Sequence, residues 1–217
     1  TRQASLAEGW GYESFWLPEN HFTGDAAIPE PLMLLAAVAA GTSTIRLATT
    51  SYLLPVRHPL QAAEQVAVLD KLSGGRVVLG VGRGYATAMF SAFSVSRKDK
   101  REIFRDCLEV MMRAWQGEPV ALDETSEPVL LSPLPVQKPY PPILIGGSSV
   151  AARQRVARFG DGWHTLRQTP RQFAKGRADV VKRTESTGRD ATALRFSLAI
   201  PVQFTDMPPD APVMDRT

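Results

Sequence analysis

Short apolar runs, most stopped by proline or glycine, alternate along this chain with segments of helical periodicity, and that alternation constrains the fold most. Glu13–Leu17 (ESFWL) reads as a strand stopped by Pro18. Ile45–Leu54 (IRLATTSYLL) is β-branched and apolar and stops at Pro55, and Arg76–Val81 (RVVLGV) runs into Gly82-Arg83-Gly84. Ile143–Ile145, Gly162–Leu166 and Leu194–Phe204 read as further strands. Between them, Pro31–Ala40 (PLMLLAAVAA) starts at a proline and stops at Gly41, as a helix should. Pro59–Leu72 puts Ala62, Gln65, Val66 and Leu69 on one helical face, and Lys98–Gln116 spaces Ile103, Phe104, Leu108, Met111 and Trp115 by threes and fours. Ser149–Phe159 and Arg171–Thr187 are two more helices. Buried-type strands alternating with helices predict an α/β fold with a parallel sheet covered by helices, either doubly wound or a barrel. The exception is 117–142. It holds Pro119, Pro128, Pro133, Pro135, Pro139, Pro141 and Pro142, seven of the chain's 17 prolines, a density that excludes helix and central strand.

Composition narrows the function. In 217 residues, 44% are hydrophobic, enough for a sizeable core, and 25 Lys+Arg against 22 Asp+Glu leave a net charge of only +3. No dense basic face points to nucleic acid. A single cysteine excludes a disulfide framework within the chain and a Cys-based zinc site, which favours a reducing, cytoplasmic setting. No apolar run approaches the roughly 20 residues of a membrane-spanning helix. Thr1–Leu6 carries no signal-peptide pattern.

In parallel α/β folds, ligands bind at the C-terminal ends of the strands. Those ends carry Glu19-Asn20-His21, Thr49-Thr50-Ser51, Gly82-Arg83-Gly84-Tyr85, Gly146-Gly147-Ser148-Ser149 and Trp163-His164. At Gly146–Ser149 a Gly-Gly turn opens a helix, which is either a phosphate site at a helix N-terminus or a plain turn with a serine cap. Arg83, between two glycines, is either a guanidinium for the same phosphate or a surface arginine. Gly80-Val81-Gly82-Arg83-Gly84 fails as a dinucleotide fingerprint, because Tyr85 stands where the third glycine belongs. His21 is an acid/base candidate or a loop histidine bonded to backbone. His58 reads as structural, and His164 is undecided. No H-x-H or H-E-x-x-H spacing exists, so no metal site is expected. Cys107 falls mid-helix as a small apolar residue. Arg153, Arg155, Arg158, Arg171, Arg177 and Arg183 read as a solvated outer face.

Taken together, the strand ends resemble the bacterial-luciferase-like family of flavin-dependent oxidoreductases. The matching segments are 11–22 (GYESFWLPENHF), 44–55 (TIRLATTSYLLP), His58-Pro59, 69–76 (LDKLSGGR) and 80–85 (GVGRGY). Further on come 135–139 (PVQKP), 141–147 (PPILIGG) and 160–163 (GDGW), all in the family's order. The resemblance implies a TIM (β/α)₈ barrel over 1–217 with a Pro-rich insertion at about 117–142. The first and last strands of that barrel are expected to be missing, because a (β/α)₈ barrel typically needs about 250 residues. The chain is then a fragment, or its numbering conceals breaks.

The resemblance also implies a role for each matching residue. Arg83 grips the flavin phosphate, with Gly147 and Ser148 as backbone donors opposite. Thr50-Ser51 matches a non-prolyl cis peptide beneath the flavin ring. Gly82 and Trp163, inside matching motifs, complete the cofactor set. His21 matches the second of two adjacent histidines, and Asn20 stands where the catalytic one would be. The implied enzyme is a monooxygenase that uses O₂ and reduced FMN, supplied by a reductase, on a small organic substrate. F420-dependent hydride transfer and a non-catalytic flavin-binding role are the alternatives. Pro31–Ala40 and Pro59–Leu72 would pack a homodimer, and the segments after Tyr85 and at 117–142 would form a lid.

Overall fold

The alternation is realised as a curled, all-parallel sheet in the order β1-β2-β4-β5-β6-β7, a partial (β/α) barrel. A computed structural model of the chain describes residues 1–202. The strands are β1 (Ser14–Leu17), β2 (Arg46–Thr49), β3 (Tyr52–Leu53), β4 (Val77–Gly82), β5 (Ile143–Gly146), β6 (Gly162–Leu166) and β7 (Arg195–Ala199). The helices are α1 (Arg2–Gly9), α2 (Pro31–Ala40), α3 (Pro59–Leu72), α4 (Thr87–Ala92), α5 (Lys100–Trp115), α6 (Val150–Phe159) and α7 (Pro170–Ser186). The expected strand Leu194–Phe204 is a strand only at Arg195–Ala199, and its last two residues lie outside the described residues.

Local chemistry sets these boundaries. Pro31 and Pro59 occupy the first helical position, where a missing N–H costs nothing. Ser149 caps α6 by accepting from the Ala152 amide, and Thr169 forms a reciprocal capping box with Gln172 on α7. In α5 the spaced residues Phe104, Leu108, Met111 and Trp115 are buried together with Cys107, while Ile103 is only half-buried. The Trp115 indole donates to the Ala63 carbonyl at 2.9 Å, which ties α5 to α3. Cys107 is buried with its Sγ 3.8 Å from Met111 Sδ, and burial pushes its thiol up to about 12.

Three expectations need correction. The single strand Ile45–Leu54 is broken: β2 ends at Thr49, the Thr50–Ser51 peptide is cis, and a two-residue β3 pairs with β4 before a 3₁₀ turn at Leu54–Val56. Pro55 favours that turn, and the Leu53 amide leaves the ladder to bond Glu19 Oε2 at 2.9 Å. The segment after Tyr85 is not all loop. It contains α4, which buries Met89 and Phe90. The Pro-rich segment is irregular as expected, but its anchor is in the wrong place for a lid. Gln137 bonds the buried Asp70 twice, at 2.9 and 2.7 Å, and the Val77 carbonyl at 2.9 Å. Val77 begins β4, so this anchor buttresses the end of the sheet opposite the strand C-termini.

Candidate active site

Thr50, Ser51, Gly146, Gly147, Ser148, His164, Thr165 and Leu166 line a pocket of about 160 Å³ at the C-terminal strand ends. Whole small-molecule sites run to about 300–1,000 Å³, so this one encloses part of such a ligand. Its wall is a close-packed cradle. A Cβ on Gly82 would stand 2.7 Å from Ser51 Cβ, and one on Gly146 would stand 2.8 Å from Ser51 Oγ. Either glycine replaced by a larger residue therefore displaces Ser51. His164, 4% exposed, stacks on Trp16 with ring centroids 5.1 Å apart. Its Nε2 lies 2.6 Å from Thr50 Oγ1 and its Nδ1 3.1 Å from Ser197 Oγ. Burial pushes its pKa down to about 4, which leaves the ring neutral at pH 7. A larger groove of about 350 Å³ lies off the strand ends against α7. There Arg153 and Arg183 share Asp179 at 2.6 and 2.9 Å, so much of its charge is satisfied internally.

Beside the pocket the charge is not satisfied. Val81 pairs with Ile145, so Arg83 and Gly147, each two residues on, leave adjacent strands at the same level. The Gly147 amide donates to the His164 carbonyl at 3.1 Å and is not available to a ligand. The exposed amides of Ser148, Ser149 and Val150 have no acceptor among the described residues, and they head α6. Amides so placed, at the positive end of a helix dipole, attract an anion. Burial lowers the pKa of half-buried Arg83, and Arg101 lowers it further. Burial, then Arg83 and Arg101, pushes Arg155 down to about 10. Lys100 is lowered by burial, then by Arg83, Arg97 and Arg101, and its Nζ donates to the Gly84 carbonyl at 3.3 Å. None of Arg83, Lys100, Arg101 and Arg155 has a carboxylate within 4.0 Å among the described residues. These residues fit a phosphate, and the cradle fits a ring laid against backbone.

At the end of β1 the opposite holds. The buried Glu19 carboxylate accepts from His21 Nε2 at 2.8 Å, from Arg57 at 2.9 Å and from the Leu53 amide at 2.9 Å. Arg57 lies over the Tyr52 ring, 4.1 Å from its centroid, and also reaches Glu30 at 3.3 Å. The His21 ring packs edge-on to Phe93, centroids 5.0 Å apart, beside the exposed Phe22.

The structure thus brings together Thr50, Ser51, Gly147 and Ser148 around one pocket, with Gly82 packed against Ser51 outside its lining and Arg83 at its side. Trp163 is elsewhere. It is wholly buried, stacked on Phe173 at 5.5 Å, and it does not line the pocket. Its indole holds the Gly147 carbonyl at 2.7 Å. Successive strand side chains face opposite ways, so His164 takes the pocket side. Asn20 is a loop clamp: its Oδ1 accepts from the Ile28 amide at 2.6 Å and its own amide donates to the Ile28 carbonyl at 3.1 Å. His58 caps α3 with no side-chain bond and is exposed. Arg155 corrects the solvated-face reading, since its Nε is buried without a partner among the described residues and its guanidinium lies 5.6 Å from the Phe104 centroid. Arg153 is also engaged, donating to the Ser148 carbonyl at 2.6 Å. Sequence reasoning missed the Glu19–Arg57 pair, which links residues 38 positions apart (57 − 19).

Comparison with known proteins places this geometry. The family model described as luciferase-like monooxygenase matches residues 1–212. An uncharacterized protein of Mycobacterium tuberculosis is 37% identical over 192 residues, covering 77% of this chain and 66% of that protein. The crystal structure of monooxygenase RslO1 from Streptomyces bottropensis superposes with a TM-score of 0.81 at 31% identity, over 90% of this chain and 62% of that one. Two more distant structures show the fold alone. The oxygenating constituent of 3,6-diketocamphane monooxygenase from Pseudomonas putida, in complex with FMN, gives a TM-score of 0.79 at 21% identity, over 90% of this chain and 59% of that one. An F420-dependent secondary alcohol dehydrogenase gives 0.79 at 19%, over 91% and 62%. The chain spans about three fifths to two thirds of the length of these proteins.

Proposed function

Because the chain belongs to the luciferase-like monooxygenase family, we propose that it binds reduced FMN at its strand ends and serves an oxidoreductase that oxidises a small organic substrate with O₂. The observation that carries this reading is the unneutralised cation set of Arg83, Lys100, Arg101 and Arg155 beside the open amides of Ser148–Val150. A phosphate placed there meets both, while Thr50, Ser51 and Gly146 offer a surface for the ring, with Gly82 packed against Ser51. When bound, the flavin supplies the redox chemistry, and this chain binds it, orients it and excludes water. His21, held by Glu19, is the acid/base group of this reading, and Asn20 fixes the loop that carries it. A separate flavin reductase supplies the cofactor, the setting is cytoplasmic, and a homodimer forms through α2 and α3. Met33, Leu34, Val68 and Leu72 are exposed on those helices. Among the described residues no helix is long and apolar enough to cross a membrane.

A second reading, F420-dependent hydride transfer without O₂, is favoured by the number of cations. Four exceed what one phosphate dianion neutralises, and F420 carries carboxylates beyond its phosphate. An anaerobic titration of the protein with reduced FMN and reduced F420, beside Arg83→Ala, decides. Tight FMN binding that the variant loses supports the FMN reading. F420 binding alone transfers the function to the second reading. A bound flavin that supports no oxygen consumption on any substrate in a separate aerobic assay points to a non-catalytic flavin binder, and binding of neither cofactor sinks the proposal.

A further inference from the structure

His21, Phe22 and Phe93 touch one another at the end of β1. Their ring centroids lie 5.0 Å (His21–Phe93), 5.9 Å (His21–Phe22) and 6.0 Å (Phe22–Phe93) apart, within the roughly 4.5–7 Å of aromatic rings in contact. The two phenylalanines leave no room for a third ring between them and form one wall, yet they are 67% and 40% exposed. The backbone that presents them is strained. Phe22 has φ 59°, and Ser94, next to Phe93, has φ 56°; they are two of the three non-glycine residues with positive φ among the described residues. Such conformations persist only where the surroundings enforce them, and they cluster where ligands are held. Phe93 is enforced from behind. Its amide closes α4 on the Met89 carbonyl at 3.0 Å, the Val95 amide bonds the Phe90 carbonyl at 2.9 Å, and Met89 and Phe90 pack on Leu53. Leu53 Cδ2 and Ser51 Cβ both lie within 3.4 Å of the point that a Gly82 Cβ would occupy, so the backing of the wall abuts the ring cradle.

The wall has one polar atom to spare. The Glu19 carboxylate, held by Arg57 and the Leu53 amide, only accepts, so His21 Nε2 donates to it. His21 Nδ1 has no partner among the described residues, although the side chain is only 5% exposed. A buried nitrogen left in that state calls for a partner from a ligand. The charged groups beside it, Glu19, Arg57 and Glu30, pair with one another and leave nothing to draw an anion. We propose that Phe22 and Phe93 determine the substrate class: a neutral, apolar, cyclic molecule with one oxygen that meets His21 Nδ1, and not a phosphorylated or carboxylated one. The inference rests on the acid/base reading of His21 and deepens it.

Acetophenone and benzoate, alike in shape and unlike in charge, test this in titrations of the chain with and without FMN, followed by ligand-observed NMR. Acetophenone is expected to bind more tightly by roughly tenfold or more, because benzoate would bring an unpaired charge to an apolar wall. It is also expected to move the His21 Nδ1 resonance of the nitrogen-labelled chain. Phe93→Ala and Phe22→Ala should weaken acetophenone by roughly three- to tenfold and leave the affinity for FMN unchanged. If Phe22→Ala does not fold, Phe93→Ala and Phe93→Leu decide, the second keeping apolar area without the ring. Equal binding of the two probes, unchanged acetophenone binding in the variants, or a still His21 resonance overturns the inference and, where FMN binds, leaves the flavin reading standing. A parent that sediments as a dimer and variants that sediment as monomers would make the wall an interface between copies and overturn it as well. Acetophenone binding without FMN binding keeps the wall and sinks the flavin reading, and binding of neither sinks both.

Discussion

Glu19 and Arg83 stand at the C-terminal ends of parallel strands, β1 and β4, on the same rim of the sheet, yet their surroundings differ. Glu19 is closed in by His21, Arg57 and the Leu53 amide. Arg83 has Lys100, Arg101 and Arg155 within electrostatic reach and no carboxylate within 4.0 Å among the described residues. A buried ion that has all its partners is part of the fold. Cations crowded together without an anion destabilise the empty site and make it favourable for an anion to enter. The first cluster locks the loop bearing His21 to the turn after β3, and the second leaves its positive charge without a counter-charge among the described residues.

The largest effect should follow from opening the closed cluster. Glu19→Ala leaves the half-buried Arg57 and the Leu53 amide without their acceptor, and a buried pair broken on one side typically costs about 3–5 kcal/mol. Urea unfolding of the cofactor-free chain measures it. A loss below about 1 kcal/mol would mean that Glu19 does not hold this rim together.

Next comes His164, which stands on the rim without charge. Its folded pKa, about 4, lies below the ordinary histidine value of 6.5. Between those values the unfolded chain binds a proton that the folded chain refuses. The stabilisation is therefore full above about pH 6.5 and lost as pH falls toward 4, by on the order of 3 kcal/mol in total. Replacing His164 by Gln should flatten that part of the stability–pH curve. An unflattened curve would assign the slope to another group.

Arg83→Leu tests the open cluster from the ligand's side. A charge-assisted bond to phosphate is worth about 1.5–3 kcal/mol, so FMN should bind roughly 10- to 100-fold more weakly, while riboflavin, which lacks the phosphate, should be unaffected. Equal losses for both ligands would place Arg83 against the ring instead.

How far the sequence foretold this rim depends on the range of each interaction. Pro31–Ala40 and Pro59–Leu72 were legible to the residue, because prolines at the start and Gly41 or Ser73-Gly74 at the end act locally. Arg83 and Gly146–Ser149 were legible as candidates, because glycines mark strand ends. The side of β6 that faces the pocket was not. All of Gly162–Thr165 is buried, so polarity does not reveal which face is which, and Trp163 was read in place of His164. The Glu19–Arg57 pair depends on the bend after Thr49, which the residue propensities of IRLATTSYLL do not announce, although the family resemblance foretells the cis peptide at Thr50–Ser51. Arg155 was indistinguishable from its five neighbouring arginines until α6 was laid against Phe104.

The smallest effect should be the most discriminating. Arg155 carries a buried Nε that has no partner among the described residues, and it lies within reach of two other guanidiniums. If it is structural, Arg155→Leu costs stability, since the stacking on Phe104 and the buried stem are disturbed. If the cluster waits for an anion, removing one cation relieves repulsion and desolvation that nothing offsets. The cofactor-free variant should then be as stable as the parent, or more stable by up to about 1 kcal/mol. Inorganic phosphate separates the two cases. It should raise the melting temperature of the parent above that in chloride of equal ionic strength, by mass action on the folded state, and raise that of the variant less. A variant that loses stability and keeps the full phosphate response would return Arg155 to the fold and leave the anion to Arg83, Lys100 and Arg101.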